Sequence, residues 1–321
     1  MTTMRAITMA QTGGPEVLEL ADVPRPVRVN AEFLVKVMAA GVNPIDVKTR
    51  AGRGVSGEIT QYPAILGNDF SGVVVESPYE AHSIKPGDEV YGMVMVPRVA
   101  GSYAEYVTVP SLSIAKKPRS VSHLEAAGIP LAALTAWGMV VEVAKAHEGQ
   151  RILIHAGAGG VGHFAVQFAR YFGAYVITTG SAGNQTWLRE LGAHEVIDYT
   201  AARFEDGLAA VDVVIDLIGN VADNTGTRSL KVLRPGGLII NAPSGSWPTF
   251  LEDAAAAGVR ATSYKVAPDG STLAVISRLV ASGDLRIHVN EVFDLADTAD
   301  AHRAVEGGHT RGKVVLRVAD F

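Results

Sequence analysis

The stretch at residues 151–164, "RILIHAGAGGVGHF", constrains this chain more than any other. "RILIHA" is a continuous apolar run that reads as a buried strand. Gly157-Ala158-Gly159-Gly160-Val161-Gly162 follows, a G-x-G-x-x-G pattern. Beyond it, Val161, Phe164, Ala165, Phe168 and Ala169 recur at helical spacing, which predicts a helix over 159–172. The glycine pattern alone is weak in a chain with 34 glycines; the strand before it and the helix after it give it meaning. Glycines at such a bend permit a tight turn and a close backbone approach, and the helix start faces a pyrophosphate. The bland alternative is a tight strand–helix turn without a ligand. The context favours a dinucleotide site.

The rest of the second half agrees. Strands at 174–180, 195–199, 211–219 and 237–243 alternate with helices near 184–191 and 222–232, and "VRATSY" at 259–264 reads as a last strand. Apolar strands alternating with helices predict a parallel sheet covered on both faces, a doubly wound Rossmann-type α/β unit. The first 120 residues have a different rhythm. Strand-like runs at 33–40, 72–77, 88–96 and 102–109 are separated by Pro and Gly turns such as Lys85-Pro86-Gly87-Asp88, which predicts a β-rich, barrel-like antiparallel sheet. The tail, with a helix at about 270–282, a strand at 289–295, a helix near 297–306 and a strand at 313–318, is expected to return to that first part. The expected division is therefore 1–120 with 265–321, and 121–264.

Composition removes several classes of function. Of 321 residues, 48% are hydrophobic and 19% charged, which describes a globular chain long enough for two domains. Net charge is -5, and the longest basic cluster, Lys116-Lys117-Pro118-Arg119, is too short for a nucleic-acid footprint. The apolar run at 126–141 has 16 residues, interrupted by Gly128, Pro130 and Gly138; it reads as a buried helix, not a membrane span. The N-terminus has no secretory pattern, so a cytoplasmic protein is expected. There is no cysteine, hence no disulfide, thiolate nucleophile or Cys-bound zinc, and the nine histidines include no His-Glu-x-x-His pair.

The cofactor type is read at the end of the second strand. An acid there would hold the ribose 2'-hydroxyl of NAD. This chain has Thr178-Thr179-Gly180-Ser181-Ala182-Gly183-Asn184, and the first acid after the glycine loop is Glu190. With no carboxylate to repel a 2'-phosphate, and with Ser181 and Asn184 as donors, NADPH is the expected cofactor. The same residues also suit a turn and helix cap.

Taken in order, "GVNPIDVKTR", "PAILGNDFSGVV", "KPGDEVYG", "GSYAEYV", "AAGIPLAALTAW", "HAGAGGVGHFAVQFA", "LGAHEVIDY", "LRPGG" and "RGKVVL" make nearly the whole chain resemble the zinc-independent medium-chain dehydrogenase/reductases, in the quinone oxidoreductase and enone (alkenal) reductase group. The resemblance implies a GroES-like catalytic domain beside the Rossmann domain. It also implies hydride transfer from NADPH to quinones or α,β-unsaturated carbonyl compounds. Zinc-dependent members of that superfamily carry a metal-binding Cys at the place of Asn43 and Gly-His-Glu at Gly67-Asn68-Asp69, so no zinc is expected here. An enolate formed by hydride addition needs only hydrogen bonds or one cation.

The same resemblance implies that Lys48 reaches the nicotinamide end and the substrate oxygen, with Asn43 lining that pocket. It places Tyr199 at the adenosine end, Thr135 near the nicotinamide, and Gly312 and Lys313 near the cofactor. Tyr103, Trp247, Phe250 and Tyr264 are candidates for an aromatic substrate wall, though each alone is more often core. Asp46 reads as a helix cap or a partner of Lys48 or Arg50. Asn68 and Asp69 read as turn polar groups near the cleft, and His309 and Arg311 as surface or cofactor-phosphate residues. A homodimer is expected, because an exposed strand edge near 258–266 needs cover. The competing function is a nucleotide-binding member without catalysis, structural or RNA-associated; the lack of a basic stripe speaks against RNA.

Overall fold

The strand ahead of the glycine loop is the middle of a six-stranded parallel sheet, as its unbroken apolar character requires. A computed structural model describes residues 2–95 and 101–319. It divides into two units, Met1–Leu134 with Ala267–Phe321, and Thr135–Val266. Along the chain, the first unit contains β1 (Thr3–Met9), β2 (Glu19–Pro24), β3 (Glu32–Val42), α1 (Pro44–Arg50), β4 (Ala64–Ile65), β5 (Asp69–Glu76), β6 (Glu89–Met93), β7 (Tyr106–Pro110), β8 (Ile114–Lys116) and α2 (His123–Ala127). α3 (Pro130–Trp137) leads out of it. Next come β9 (Arg151–Ile154), α4 (Gly162–Tyr171), β10 (Tyr175–Gly180), α5 (Gln185–Glu190), β11 (Glu195–Asp198), β12 (Val211–Asp216), α6 (Thr225–Ser229), β13 (Leu233–Asn241), α7 (Phe250–Ala256) and β14 (Arg260–Ser263). The chain returns through α8 (Gly270–Ser282), β15 (Val289–Asp294), α9 (Thr298–Glu306) and β16 (Lys313–Arg317).

In the second unit the sheet order is β11-β10-β9-β12-β13-β14, all parallel. The chain winds outward from β9 to β11, then returns to β12 on the other side of β9. Ligands of such sheets bind at the carboxyl ends of the strands at this switch point, and the glycine loop stands there. Ile152, Leu153 and Ile154 are fully buried. Helix α4 is buried on more than its apolar face: His163 and Gln167 are buried as well, because the helical turn 138–143 packs on it in addition to β9 and β10. β14 ends the sheet, paired to β13.

In the first unit the larger sheet runs β15-β16-β3-β5-β6-β8, with β7 also on β3. All its pairs are antiparallel except β15–β16. A small sheet, β2-β1-β4, completes it. Alternating inward residues such as Phe33, Val35, Val37, Phe70, Val90 and Leu316 form its core. Residues 102–105, expected as strand, are not one: Ser102 and Tyr103 donate their backbone N–H to Gly67 and Leu66, which fixes an irregular crossing instead. The expected strand at 88–96 ends at Met93, and its last residue lies outside the described residues. Among the described residues no helix is long and apolar enough to cross a membrane.

Candidate active site

The turn between β3 and α1 shows why its sequence is so polar. Asn43 is extended and Pro44 opens the helix, where its missing N–H is no loss. Asp46 Oδ2 accepts the Asn43 backbone N–H at 2.9 Å, so the capping expectation holds. The alternative pairing of Asp46 with Lys48 or Arg50 does not occur, for Arg50 instead forms an ion pair with Glu306 on α9.

Around this turn the first unit buries a polar centre. Asn43 Nδ2 donates to Asp69 Oδ2 at 2.9 Å, and the Lys313 ammonium donates to Asn43 Oδ1 and, at 3.1 Å, to the Val42 carbonyl. Lys313 Nζ stands 3.6 Å from Asp69 Oδ2, and the Leu131 N–H donates to Asp69 Oδ1 at 2.8 Å. Asn43, Asp46, Asp69 and Lys313 are all at most 3% exposed. Two carboxyl groups and one ammonium in so dry a place are neutral only if one carboxyl keeps a proton. Asp46 is that carboxyl: burial, and then the Asp69 charge, push it up to about 7. Burial also raises Asp69, opposed by Lys313, and lowers Lys313, opposed by Asp69.

A stability prediction follows from Asp46. Its pKa is higher folded than in the ordinary 3.8 of the unfolded chain, so the folded state binds the proton more tightly. The contribution of Asp46 to stability is therefore greatest at acid pH and declines as pH rises from about 4 to about 7, levelling above that, while the buried His155 and His302, lowered to about 4 and about 3, contribute in the opposite direction. Asp69 acts in the same direction as Asp46. Asp46→Asn is expected to remove this contribution, measured as a Tm that falls less, or rises more, than that of wild type between about pH 5 and about pH 8. An unchanged slope contradicts the assignment.

Several expected site residues have other roles. Lys313, expected beside the cofactor, spends its ammonium on Asn43, Val42 and Asp69, and Gly312 is held against the His288 carbonyl, where a Cβ would come within 2.2 Å. Tyr103, expected on a substrate wall, is fully buried, its hydroxyl beside the Asp46 carboxyl and 3.3 Å from His302 Nε2. Trp247 and Phe250 also go to the core of their own unit, their rings 5.2 Å apart, with Trp247 Nε1 donating to Asp253. Tyr264 is half-buried with its phenol end pressed on Gly138. Aromatic residues of an apolar sequence stretch find the core first, and nothing in their spacing distinguishes a wall from a core. Lys48 is half-buried on α1; burial and then Arg53 lower its pKa. His302 and the Asp46–Tyr103 contact have no local sequence signal, because no local pattern joins residues so distant in sequence.

In the second unit the glycine loop leaves no room for a side chain at two of its positions. A Cβ on Gly157 would sit 2.0 Å from Thr178 Oγ1, and one on Gly162 would sit 2.1 Å from the Ala156 carbonyl. Gly159 has space by comparison, its nearest neighbour at 3.3 Å. Gly160 and Val161 complete the turn, and the ten-residue α4 begins at Gly162. This cradle at the switch point fits a pyrophosphate. At the end of β10, Asn184 Nδ2 donates to Ser181 Oγ at 3.0 Å, so these two residues form the expected turn and remain side by side. Tyr199 is 55% exposed just past β11, and Thr135 is buried on α3.

Zinc does not fit the donors at α1. Asn43 is engaged at both ends of its amide, Asn68 Nδ2 donates to the Val94 carbonyl at 3.0 Å, and an ammonium already neutralises Asp69. Amides and an ammonium are not zinc ligands. Among the described residues no three His, Asp or Glu side chains gather in a way that suits a metal.

Comparison with known proteins shows the family of the chain. An alcohol dehydrogenase GroES-like domain model matches residues 30–119, and a zinc-binding dehydrogenase model matches residues 191–316. A mitochondrial NAD(P)H oxidoreductase of Danio rerio is 34% identical over 90% of this chain and 84% of its own length. A chloroplastic NADPH-dependent alkenal/one oxidoreductase of Arabidopsis thaliana is 33% identical, covering 98% of this chain and 79% of its own. The quinone oxidoreductase structure from Coxiella burnetii has a TM-score of 0.93 and 38% identity, over 99% of this chain and 100% of that one.

Proposed function

From the premise that the chain belongs to the medium-chain dehydrogenase/reductase family, as an NAD(P)H-dependent oxidoreductase of its quinone oxidoreductase group, we propose that it uses NADPH, without zinc, to reduce the activated C=C bond of α,β-unsaturated carbonyl compounds, with quinones as alternative acceptors. The observation that carries this reading is the donor set around Asn43. Where a Lewis acid would polarise an alcohol or carbonyl oxygen, the chain has an amide tied to a buried Lys313–Asp69 pair. Substrates that need no metal are those whose conjugation carries the incoming charge to oxygen.

Bound, the reduced nicotinamide supplies the hydride. The protein's own part is binding and charge. Gly157 and Gly162 permit the backbone N–H groups of the loop and the start of α4 to approach the pyrophosphate. Ser181 and Asn184 are the donors proposed for the 2'-phosphate, supported by the absence of an acid at the end of β10. Lys48, whose half-buried ammonium has a lowered pKa, is the cation proposed for the oxygen that gains charge.

Lys48→Ala is therefore expected to lower kcat with an enone roughly 100-fold, as loss of one oxyanion donor does, with NADPH affinity nearly unchanged. Steady-state rates with a water-soluble enone, together with a fluorescence titration of NADPH, measure both. Unchanged rates would remove Lys48 from the mechanism. A chain that binds NADPH but turns over neither enones nor quinones would overturn the functional reading itself.

A further inference from the structure

Thr179, near the end of β10, holds two successive residues at the entry to the glycine loop. Its hydroxyl accepts the Ala156 N–H at 3.1 Å, and its carbonyl accepts the Gly157 N–H at 3.0 Å. Ala156 has a φ of 51°. This is the left-handed region, which a glycine adopts freely and an alanine keeps only where its surroundings impose it. The Ala156 carbonyl accepts the Gly159 N–H at 3.0 Å, and the same oxygen is the nearest atom that a Cβ on Gly162 would meet. The direction of this one residue therefore sets the turn that leads into α4.

Behind Thr179 the hydrogen bonds continue across the sheet. His155, the residue after β9, has Nδ1 3.3 Å from Thr179 Oγ1 and Nε2 2.8 Å from Ser229 Oγ, at the end of α6. Ser229 Oγ donates to the Thr225 carbonyl at 2.7 Å. His155, Thr179 and Ser229 are at most 2% exposed. Donor and acceptor roles follow by elimination. Ser229 spends its one hydrogen on Thr225, so His155 Nε2 is the donor between them. A neutral imidazole with its hydrogen on Nε2 has only a lone pair on Nδ1, so the Thr179 hydroxyl donates to it. Thr179 Oγ1 keeps a lone pair for the Ala156 N–H. Burial keeps the imidazole neutral, lowering His155 to about 4 against the Asp216 charge, with Arg228 assisting and Glu205 opposing. The Phe204 ring meets the imidazole edge to face, with centroids 4.6 Å apart.

We propose that Thr179 is a positioning residue for the dinucleotide, and that His155 is the fixed acceptor that orients its hydroxyl. A one-way chain of hydrogen bonds runs from the Ala156 N–H through Thr179, His155 and Ser229 to the Thr225 carbonyl. It holds Ala156 in its left-handed conformation and so keeps the N–H groups of the loop in place for a pyrophosphate, which lowers the ordering cost of binding. This role rests on the reading of the glycine loop as the NADPH site. A valine at 179 has the shape of threonine but neither accepts from Ala156 nor donates to His155. A serine does both.

Thr179→Val is expected to raise the Kd for NADPH roughly tenfold, and Thr179→Ser to bring it back to within about threefold of wild type, as loss and recovery of buried hydrogen bonds do. A fluorescence titration of NADPH measures both. A purely structural role would lower the Tm of cofactor-free Thr179→Val and leave its Kd at the wild-type value. That result would overturn the proposal, and so would a Thr179→Ser protein that binds as weakly as Thr179→Val. A second measurement uses wild-type protein without cofactor. In nitrogen NMR spectra of isotope-labelled protein, the assigned His155 ring should be neutral and fixed as the Nε2–H tautomer. The Nδ1–H tautomer, or exchange between the two, breaks the chain and overturns the proposal. Failure of the functional reading is separate: it shows as wild-type protein that binds no NADPH, whatever the tautomer of His155.

Discussion

A Gly162→Val variant is expected to lose NADPH binding altogether while keeping its secondary structure. The Cβ it introduces would lie 2.1 Å from the Ala156 carbonyl oxygen and 2.8 Å from the Gly157 Cα. Both are backbone atoms, so no side chain can swing aside. The loop must move, and with it the N–H groups that would meet the pyrophosphate. Overpacking of this sort costs about 1–3 kcal/mol of stability. The larger effect is on the ligand: a saturating cofactor stabilises a folded protein by about 2.7 kcal/mol at a hundredfold excess over Kd. Wild-type Tm should therefore rise with added NADPH, and the variant's should not. Gly159→Ala is the contrasting case, because its Cβ has 3.3 Å of room, and it should retain a cofactor-dependent shift. If Gly162→Val still binds NADPH, the loop is only a turn.

The second large effect is expected at Lys313. Lys313→Met leaves Asp69 fully buried without its cation and Asn43 Oδ1 without a donor. Breaking a buried ion pair from one side costs about 3–5 kcal/mol, more than most single substitutions. The loss should be smaller at acid pH, where Asp69 protonates and no longer needs the ammonium; burial already pushes its carboxyl upward. Replacing both partners, with Asp69→Asn in the same chain, should recover much of the stability, since a neutral amide can still accept from Leu131 and meet Asn43. Urea denaturation of the three variants measures this. A Lys313→Met protein as stable as wild type would mean the pair contributes nothing.

Much of this molecule was readable from local chemistry. Helix α8 runs over the expected residues because Asp269 caps its start, accepting from Ser271 and Thr272, and Gly283 ends it with φ of 83°. The parallel strands were readable because a strand buried on both faces must be apolar throughout. The small sheet of β1, β2 and β4 has little local signal. β2 has half-exposed, mixed residues, and β4 is a two-residue strand whose pairing partner lies far away in sequence. The polar centre is legible in part. Asn43 and Asp46 announced a cap, which is local. Lys313 did not announce its burial, because a lysine's ordinary place is the surface, and only the pairing of β16 with β3 brings it under Asn43. Tyr103 gives no local sign of its burial for the same reason: its partners, Asp46 and His302, come from α1 and α9, and a sequence pattern has no way to join them.

The most direct test of the account follows one hydrogen. NADPH carrying deuterium at the nicotinamide C4 is incubated with the protein and a conjugated enone, and the product is analysed by mass spectrometry and NMR. The account predicts a saturated ketone with deuterium on the former β carbon and a solvent proton on the α carbon. An allylic alcohol with deuterium on the carbonyl carbon, or no labelled product at all, would contradict it.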